Sequence, residues 1–434
     1  MINNRGLSKI GRIIYSIGRF GSTTLITIVS LTSYYFYLEF MSVDPLVNGI
    51  AHSLSRILMA VTGFLFGYLS DLFFIRRLGK RKPFIILGSF LLSISFIMLY
   101  NPLLISFRNN KLFVMIYEFI WLTFLGIGYS ALIIPYQAWM PEITSPDERA
   151  EVSFYQNIFN FSGNIVGIGA SFALAFLIET SYMTFFQFVI LISIIEIILY
   201  APLILLIRVS TPNLKSPNIL KEIKIIIRDK NFVLWEATRG FSSAGVAIFI
   251  AMIIDFITNY LKAVKIDYLI DGVIITITVI LSIPTLFRVS KKYGMKKTMY
   301  YSLFLLSTSL MILTFIPILQ NSFIKTRAGL ILLTLSVIGL IGYWIFNYAI
   351  TANIIDMNMF DTGESRAGTY TGVDNINVNF FQSLGYMLLG ISLKYLVTLS
   401  ELIWSLLAGI LILIGLIPFK YVRAEIKESS SIIT

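Results

Sequence analysis

The chain has 434 residues, of which 57% are apolar and only 13% are charged, and it contains no cysteine. A soluble domain usually carries about one quarter charged residues, so this composition excludes a soluble protein, and the lack of cysteine excludes disulfide bonds and cysteine chemistry. The net charge of +11 does not indicate a nucleic-acid partner, because most basic residues fall in loops on one side of the predicted membrane spans.

Long windows of the chain carry almost no charge, for example 85–99, 152–178 and 400–419. Backbone groups in lipid must be hydrogen-bonded within their own segment, so such windows must form helices in a bilayer. The predicted spans, in chain order, are 20–40, 48–70, 83–101, 112–140, 152–178, 182–207, 233–260, 268–288, 298–319, 327–355, 367–395 and 399–420. We therefore expect an all-α membrane protein with twelve transmembrane helices.

The distribution of Lys and Arg predicts the orientation of these spans. Positive residues accumulate in cytoplasmic loops, which places both termini and the central loop in the cytoplasm of a multi-pass protein of the cell membrane. Residues 1–19 are basic and mixed, so we expect no cleavable signal peptide. The predicted domains are an N-terminal six-helix half (1–208), a cytoplasmic linker (209–232), a C-terminal six-helix half (233–420) and a cytoplasmic tail (421–434).

Two loop motifs occur twice, about half a chain apart. The segment 76–83 reads RRLGKRKP, and it is echoed by 288–297, which reads RVSKKYGMKK. The segment 147–150 (DERA) is answered by 363–367 (GESRA). Two pseudo-symmetric apolar halves are the plan of a secondary transporter with its site between the halves.

Polar residues inside the predicted spans lie on narrow stripes when plotted at about 100° per residue. The stripes are Thr23, Thr27, Ser30, Tyr34 and Tyr37 in span 1; Ser153, Asn157, Asn160, Asn164 and Ser171 in span 5; Trp344, Asn347, Tyr348 and Thr351 in span 10; and Thr371, Asn375, Asn379 and Gln382 in span 11. Polar residues in a span can also hold two helices together by hydrogen bonds. Small residues such as Gly163 and Gly167 likewise allow helices to pack closely. Aligned stripes on several spans nevertheless favour a polar central cavity.

The candidate solute-binding residues follow from these stripes and from charged or aromatic residues on the same faces. They are Thr23, Thr27, Tyr34, Arg56, Tyr129, Asn160, Asn164, Trp344, Asn347, Asn375, Asn379 and Gln382.

Charged residues inside spans are costly and are usually functional. Glu118, Glu196 and Asp255 are the candidates for carrying a coupled proton. Glu236 and Arg239 are three residues apart on one helix, so they could simply pair with each other.

The only histidine, His52, leaves no histidine-based metal cluster, and we expect it to be an ordinary interfacial residue. We therefore expect no metal and no cofactor.

Three motifs carry a resemblance to a known family. They are 70–84, which begins Ser-Asp and ends Gly-Lys-Arg-Lys-Pro-Phe; 134–144, which reads IPYQAWMPEIT, with Arg149 after it; and 366–370, which reads RAGTY and leads to Gly385. With these motifs the chain resembles the major facilitator superfamily and, more narrowly, the glycoside–pentoside–hexuronide:cation symporter family, which includes melibiose permease and carriers of lysolipids. The resemblance implies that Gly67 lets helix 2 approach helix 11 closely. It also implies that Asp71, Glu142, Arg149 and Arg366 form ion pairs that close the cytoplasmic side.

The chain departs from that family at its best-known sites. Where sodium-coupled sugar carriers of the family have two aspartates after an arginine that matches Arg56, this chain has Met59 and Gly63. The family's sugar-binding aspartates fall at Thr23 and Ile133, and its helix 11 lysine falls at about Asn379. Hard cations need oxygen ligands, so we expect neither a sodium site of that kind nor galactoside recognition by two carboxylates.

These observations predict a secondary transporter or facilitator that moves a small polar organic solute by alternating access. The resemblance favours a sugar or glycoside, and coupling to a proton is open. One alternative is a carrier of amphiphiles, lysolipids or drugs, because the replacing residues are apolar. An alternative of another class is a non-transporting membrane sensor. No nucleophile–base pair or phosphate-binding loop is visible, so we expect no enzyme, and we expect a monomer in the bilayer.

Overall fold

The computed structural model describes residues 7–101, 103–207, 225–261, 265–362, 367–396 and 402–424. In these ranges the long helices are α1 (Lys9–Tyr35), α2 (Pro45–Leu72), α3 (Lys82–Leu99), α4 (Lys111–Ile143), α5 (Pro146–Thr180), α6 (Tyr182–Leu206), α7 (Lys230–Asp255), α8 (Lys265–Tyr293), α9 (Met295–Leu313), α10 (Ser322–Thr362), α11 (Ala367–Ile391) and α12 (Ile403–Phe419). Eleven are long and apolar enough to cross a membrane, and α12 is a shorter apolar helix. The predicted all-α membrane fold is confirmed.

Helix starts follow the local sequence. Asp44 and Asn110 accept hydrogen bonds from first-turn amides of α2 and α4, which satisfies donors that have no partner within the helix. At the start of α5, Glu148 accepts a hydrogen bond from the Ser145 N–H at 3.1 Å, as in a capping box. Gly294 precedes α9 with φ of 89°, a conformation that favours glycine.

Several helices extend beyond the predicted spans. Helix α5 begins at Pro146 rather than at 152, and α10 runs over Ser322–Thr362 rather than over 327–355. Hydropathy marks only the segment that matches the apolar thickness of a bilayer, whereas a helix continues until its backbone is capped or broken.

Three helices end in a wide π-helical turn. These turns are Phe36–Phe40 after α1, Phe256–Tyr260 after α7 and Ser392–Leu396 after α11. Spans 1 and 7 are equivalent in the predicted repeat, so the same irregularity occurs at matching places in both. Such turns are rare in proteins, but those that occur are often found at functional sites.

The described helices fall into two compact units. Unit 1 contains Met1–Ser216, Ile250–Thr276 and Tyr386–Lys394, and unit 2 contains Pro217–Phe249, Ile277–Gly385 and Tyr395–Thr434. The predicted linker 209–232 and tail 421–434 lie largely outside the described residues.

In unit 1, α1 packs on α5 and α6, and α4 packs on α2 and α3. Glycines allow α3 and α4 to cross closely. A Cβ atom on Gly88 would lie 2.3 Å from the Leu132 backbone nitrogen, and one on Gly128 would lie 2.5 Å from the Leu92 nitrogen. Only a residue without a side chain allows the two backbones to approach this closely.

In unit 2, α9 packs on α10 and α12. Serine side chains connect these helices, because Ser309 and Ser336 hydroxyls lie 2.8 Å apart and the Ser307 hydroxyl donates to the Gly409 carbonyl at 2.8 Å. A Cβ atom on Gly385 would lie 2.4 Å from the Ala244 carbonyl oxygen, so α7 and α11 are also in close contact.

Candidate functional site

Five side chains meet where α1 packs on α5 in unit 1, and we name them the α1–α5 polar seam: Arg19, Thr23, Thr27, Asn160 and Asn164. The Thr23 hydroxyl donates to Asn160 Oδ1 at 2.7 Å, and Arg19 Nη2 donates to the same oxygen at 2.8 Å. The Thr27 hydroxyl donates to Asn164 Oδ1 at 2.9 Å. The stripes predicted on spans 1 and 5 therefore contact each other.

The two asparagine amides keep unused donors. Asn160 and Asn164 are half-buried, and each uses its oxygen as an acceptor within the seam. Their Nδ2 groups donate no hydrogen bond to any residue that the structure describes. An amide nitrogen carries two N–H donors, so the seam can donate to a hydroxyl or carbonyl of a bound molecule.

Two glycines bring the seam together. A Cβ atom on Gly163 would lie 2.7 Å from the Phe20 carbonyl oxygen, and one on Gly167 would lie 2.7 Å from the Thr27 Cβ. The predicted packing role of these glycines is confirmed. Because the backbones are this close, a short threonine reaches across to an asparagine.

Other members of the same stripes use their polar groups internally. Tyr34 is fully buried, and its hydroxyl donates to the Pro45 carbonyl at 3.2 Å. Tyr37 donates to the Leu99 carbonyl at 2.8 Å. The Ser171 hydroxyl donates to the carbonyl four residues earlier in its own helix at 2.7 Å. In this structure these residues serve packing and offer no free polar surface.

Arg56 is a half-buried cation on α2 with no carboxylate partner among the described residues. Its Nη1 lies 3.9 Å from the Met59 sulfur, and its guanidinium lies 5.7 Å from the Tyr386 ring centroid. A cation over an aromatic face is weakly stabilised. Arg56 therefore remains available to an anionic or hydroxyl group of a bound molecule.

His52 is buried rather than interfacial, which corrects the sequence prediction. It is 6% exposed, and its ring nitrogens lie 3.0 Å from the Ser33 hydroxyl and 3.1 Å from the Asn48 carbonyl. Glu118 Oε1 lies 3.3 Å from His52 Nδ1, yet neither Glu118 oxygen makes a hydrogen bond within the described residues. No sequence pattern predicted that a histidine lies beside this carboxyl group.

The other two predicted proton carriers have different environments. Glu196 is fully buried and accepts hydrogen bonds from the Ser89 and Ser93 hydroxyls, each at 2.8 Å, as a residue at a helix contact does. Asp255 accepts from Asn259 Nδ2 at 2.8 Å and is within hydrogen-bond range of the Glu39 carboxyl group, all inside unit 1.

A cluster of charged residues lies inside unit 2, and we name Glu236, Arg239 and Asp374 the buried triad. Arg239 Nη1 contacts both Asp374 oxygens, at 2.6 and 2.7 Å. Arg239 makes no hydrogen bond to Glu236, because neither Glu236 oxygen has a hydrogen-bond partner in the described part of the chain. Asp374 was not among the residues predicted from the sequence, although an acidic residue inside a predicted span is a signal of such a site.

The remaining candidate solute-binding residues lie on α4, α10 and α11. Tyr129, Trp344 and Gln382 are half-buried. Asn347 is 4% exposed, and its Oδ1 has no hydrogen-bond partner among the described residues. Asn379 Nδ2 donates to Asn375 Oδ1 at 3.1 Å along α11, so the amide groups of these two asparagines are partly used.

The predicted gate is described in part. Glu142 accepts from Arg81 Nε at 2.9 Å, and Arg81 Nη1 also donates to the Ser70 hydroxyl at 2.5 Å. Arg149 is exposed, whereas the Asp71 side chain and Arg366 lie outside the described residues. The pairing of Arg81 with Glu142 was not predicted, because in the sequence Arg81 is one of several basic residues in the same turn.

Beside the gate, Glu148 joins the start of α1 to the start of α5. It accepts hydrogen bonds from the Leu7 and Ser145 amides and pairs with Arg12 at 2.8 Å. Burial raises the pKa of Glu148, but these hydrogen bonds and the Arg12 charge outweigh it, so the pKa lies below its usual value.

Across the described ranges, no group of three or more His, Cys, Asp or Glu side chains is arranged to hold a metal ion. The described sites consist of hydrogen-bonding amides and hydroxyls, aromatic faces and isolated buried charges.

The long apolar helices are those of a multi-pass membrane protein. The chain matches the model of the family described as MFS/sugar transport protein over residues 14–414, and it belongs to that family. It is therefore a multi-pass membrane protein and a secondary transporter of a small solute, not an enzyme.

Solved transporters share its fold. A D-xylose-proton symporter is 14% identical with a TM-score of 0.61, covering 96% of this chain and 96% of that chain. The nucleoside transporter NupG is 15% identical with a TM-score of 0.65, covering 95% and 99%. A bacterial homologue of the human lysosomal transporter Spinster, inward-facing and unoccupied, is 12% identical with a TM-score of 0.68, covering 96% and 98%. At these identities the likeness concerns the fold alone.

Proposed function

We propose that the protein carries a sugar or glycoside across the cell membrane by alternating access, with the α1–α5 polar seam as part of its solute-binding surface. The observation that carries this proposal is the pair of half-buried amides, Asn160 and Asn164, whose N–H groups have no acceptor in the described structure. The family description, MFS/sugar transport protein, supports the solute class.

The seam suits a neutral solute rich in hydroxyl groups. It offers amide N–H donors, and its threonine hydroxyls can both donate and accept. It contains no carboxylate, so nothing in it attracts a cationic solute.

We further propose that transport is coupled to protons and not to sodium, in a monomer whose termini are cytoplasmic. Met59 and Gly63 provide no side-chain oxygen where sodium-coupled sugar carriers of the resembling family have carboxylates. The similarity in fold to a D-xylose-proton symporter is compatible with proton coupling. Within the superfamily, the motifs around Pro135, Glu142 and Arg366 favour the glycoside–pentoside–hexuronide group.

The first test is a thermal-stability screen of the purified protein against D-xylose, methyl glycosides, glucuronate and a lysophospholipid. Binding to the folded state raises its stability by mass action. We expect a sugar or glycoside to raise the unfolding temperature, equally with and without sodium. Stabilisation only by the lysophospholipid would replace the proposal with an amphiphile carrier.

For the solute that binds, Asn160→Ala and Asn164→Ala should each weaken binding about 3- to 10-fold, because one net hydrogen bond contributes about 0.5–1.5 kcal/mol. Ser171→Ala is the matched control, since that hydroxyl bonds within its own helix. The affinities come from isothermal titration calorimetry in detergent. Equal affinities for all three variants and wild type would remove the seam from the binding surface.

A second solute class is favoured by Arg56. This half-buried cation has no carboxylate partner among the described residues, so a solute with one negative charge, such as a uronide, would complete its environment. Binding of glucuronate by wild type that is lost in Arg56→Gln would support this class over a neutral sugar.

A further inference from the structure

The buried triad contains more negative than positive charge. Glu236, Arg239 and Asp374 are 8%, 4% and 7% exposed. With all three groups ionised, two carboxylates share one guanidinium, and the cluster carries one net negative charge. An uncompensated charge is strongly disfavoured where water is excluded.

The contacts show which carboxylate lacks compensation. Arg239 Nη1 binds both Asp374 oxygens, while both Glu236 oxygens are without a hydrogen-bond partner in the described residues. The hydrogen bond of the neighbouring Asn377 amide goes to the Glu236 main-chain carbonyl, to which Asn377 Nδ2 donates at 2.8 Å. Glu236 is thus the group in the triad that needs a proton or another cation.

A proton on Glu236 would satisfy both carboxyl groups. The Glu236 and Asp374 carboxyl groups lie within hydrogen-bond range of each other, and two ionised carboxylates have only acceptors to offer. One proton on Glu236 supplies the missing donor, converts the contact into a hydrogen bond to Asp374 and makes the triad neutral.

The groups facing the triad from α10 do not change this charge count. Tyr343 and Tyr348 lie close to Arg239, with the Tyr348 ring centroid 5.8 Å from its guanidinium. Thr351 accepts from Trp235 Nε1 at 2.8 Å and lies 3.3 Å from Arg239 Nη1. On α7 and α11 the neighbours are the neutral Trp235 and Asn377. None of these groups brings a second positive charge.

We propose that Glu236 is the binding site of an exchangeable proton and that Arg239 links its protonation to the contact between α7 and α11. With Glu236 protonated, Arg239 pairs with Asp374 on α11, which is the contact that the structure shows. Once the proton leaves, Arg239 has a second anion three residues away on its own helix, and its bond to α11 weakens. This assignment rests on the proposed proton coupling for its role in transport, but the protonation itself does not depend on the solute.

The test measures the proton directly, without a solute. Infrared difference spectra of the purified protein, recorded after steps from acidic to alkaline pH, report the C=O band of protonated carboxyl groups. We expect a buried-carboxyl component in wild type that titrates and that is absent in Glu236→Gln. Glu196→Gln is the matched control, because it also removes a fully buried carboxyl group yet should retain the Glu236 component.

The outcomes separate this proposal from the proposed function. An unchanged titrating band in Glu236→Gln would overturn the assignment, as would loss of the band on adding sodium at constant pH, which would make the site a sodium site. If Glu236→Gln does not fold, Glu236→Asp should instead shift the titration.

Loss of solute-driven proton uptake in Glu236→Gln proteoliposomes, with solute exchange retained, would tie the site to transport. A wild type that binds no sugar, uronide or lysolipid would refute the proposed function and leave the infrared result intact.

Discussion

Two buried arginines show how a guanidinium is stabilised inside an apolar bundle. The Arg81 and Glu142 side chains are each 6% exposed, and those of Arg239 and Asp374 are 5% and 9% exposed. Each pair joins two helices, and each charge is removed from water. Removing one member of such a pair leaves a buried charge without compensation, which costs more than the pair contributes as a whole.

We expect Arg81→Met to lower the free energy of unfolding by about 3–5 kcal/mol, because it removes the cation from the buried ion pair with Glu142. The double variant Arg81→Met with Glu142→Leu should recover much of this loss. Thermal unfolding of the purified protein in detergent measures both. Arg77→Met is the control, since Arg77 lies in the same basic turn but is exposed.

If Arg81→Met were no less stable than Arg77→Met, the basic turn would set topology only, and the pair with Glu142 would not contribute to stability.

At the residue scale, the sequence predicted which side chains lie on a polar face better than it predicted their hydrogen-bond and ion-pair partners. It indicated that Thr23, Asn160 and Asn164 share a polar surface, because periodicity alone reveals which side chains point the same way. It could not identify Asp374 as the partner of Arg239, which is 135 residues away in the chain. Local spacing suggested Glu236 instead, and only the packing of α7 on α11 decides between the two carboxylates.

At the scale of helices, the fold depends on a few positions where backbones touch. The crossing of α3 with α4 is the closest described above, with no room for a Cβ atom on Gly88 or Gly128. By contrast, a Cβ atom on Gly67 would meet only the Ile134 side chain, at 3.5 Å, and one on Gly372 would meet no described atom within 4 Å.

Gly88→Ala should be strongly destabilising, by about 1–3 kcal/mol or more, because the added methyl group forces two backbones apart. Gly372→Ala should be neutral or slightly stabilising, since alanine favours the helix by about 1 kcal/mol over glycine. Unfolding temperatures of both variants, measured side by side, check this contrast. Equal destabilisation would indicate that helix propensity and not contact decides the effect.

Helix number and order could be predicted because a bilayer imposes a strict hydrophobic length. The ends of the helices could not be predicted. Helix α10, for example, continues well past its predicted limits. Its ends extend beyond the apolar window, where hydropathy carries no information and capping decides. The twofold sequence repeat likewise indicated two halves but gave no indication that Ile250–Thr276 and Tyr386–Lys394 group with unit 1.

At the scale of the whole molecule, orientation in the membrane can be tested simply because the chain has no cysteine. Single cysteines placed at Ser106 and Tyr421, both exposed, can be treated with a membrane-impermeant maleimide on intact cells. Cytoplasmic termini predict labelling at Ser106 only, and labelling at Tyr421 only after permeabilisation. The reverse pattern would invert the topology that the basic loops predict.

The wide turn at Phe36–Phe40 affects how the end of α1 is read from the sequence. A π turn holds one residue more than an α turn, so every position beyond it is rotated by about 100° relative to a count from the start of the helix. A helical wheel drawn from Lys9 therefore loses its phase beyond Phe40. Tyr37, expected on the polar stripe, lies inside the turn and donates to the Leu99 carbonyl. If this turn changed from π to α geometry, the end of the helix would rotate by about 100°. The α1–α5 polar seam, which precedes the turn, would stay in place.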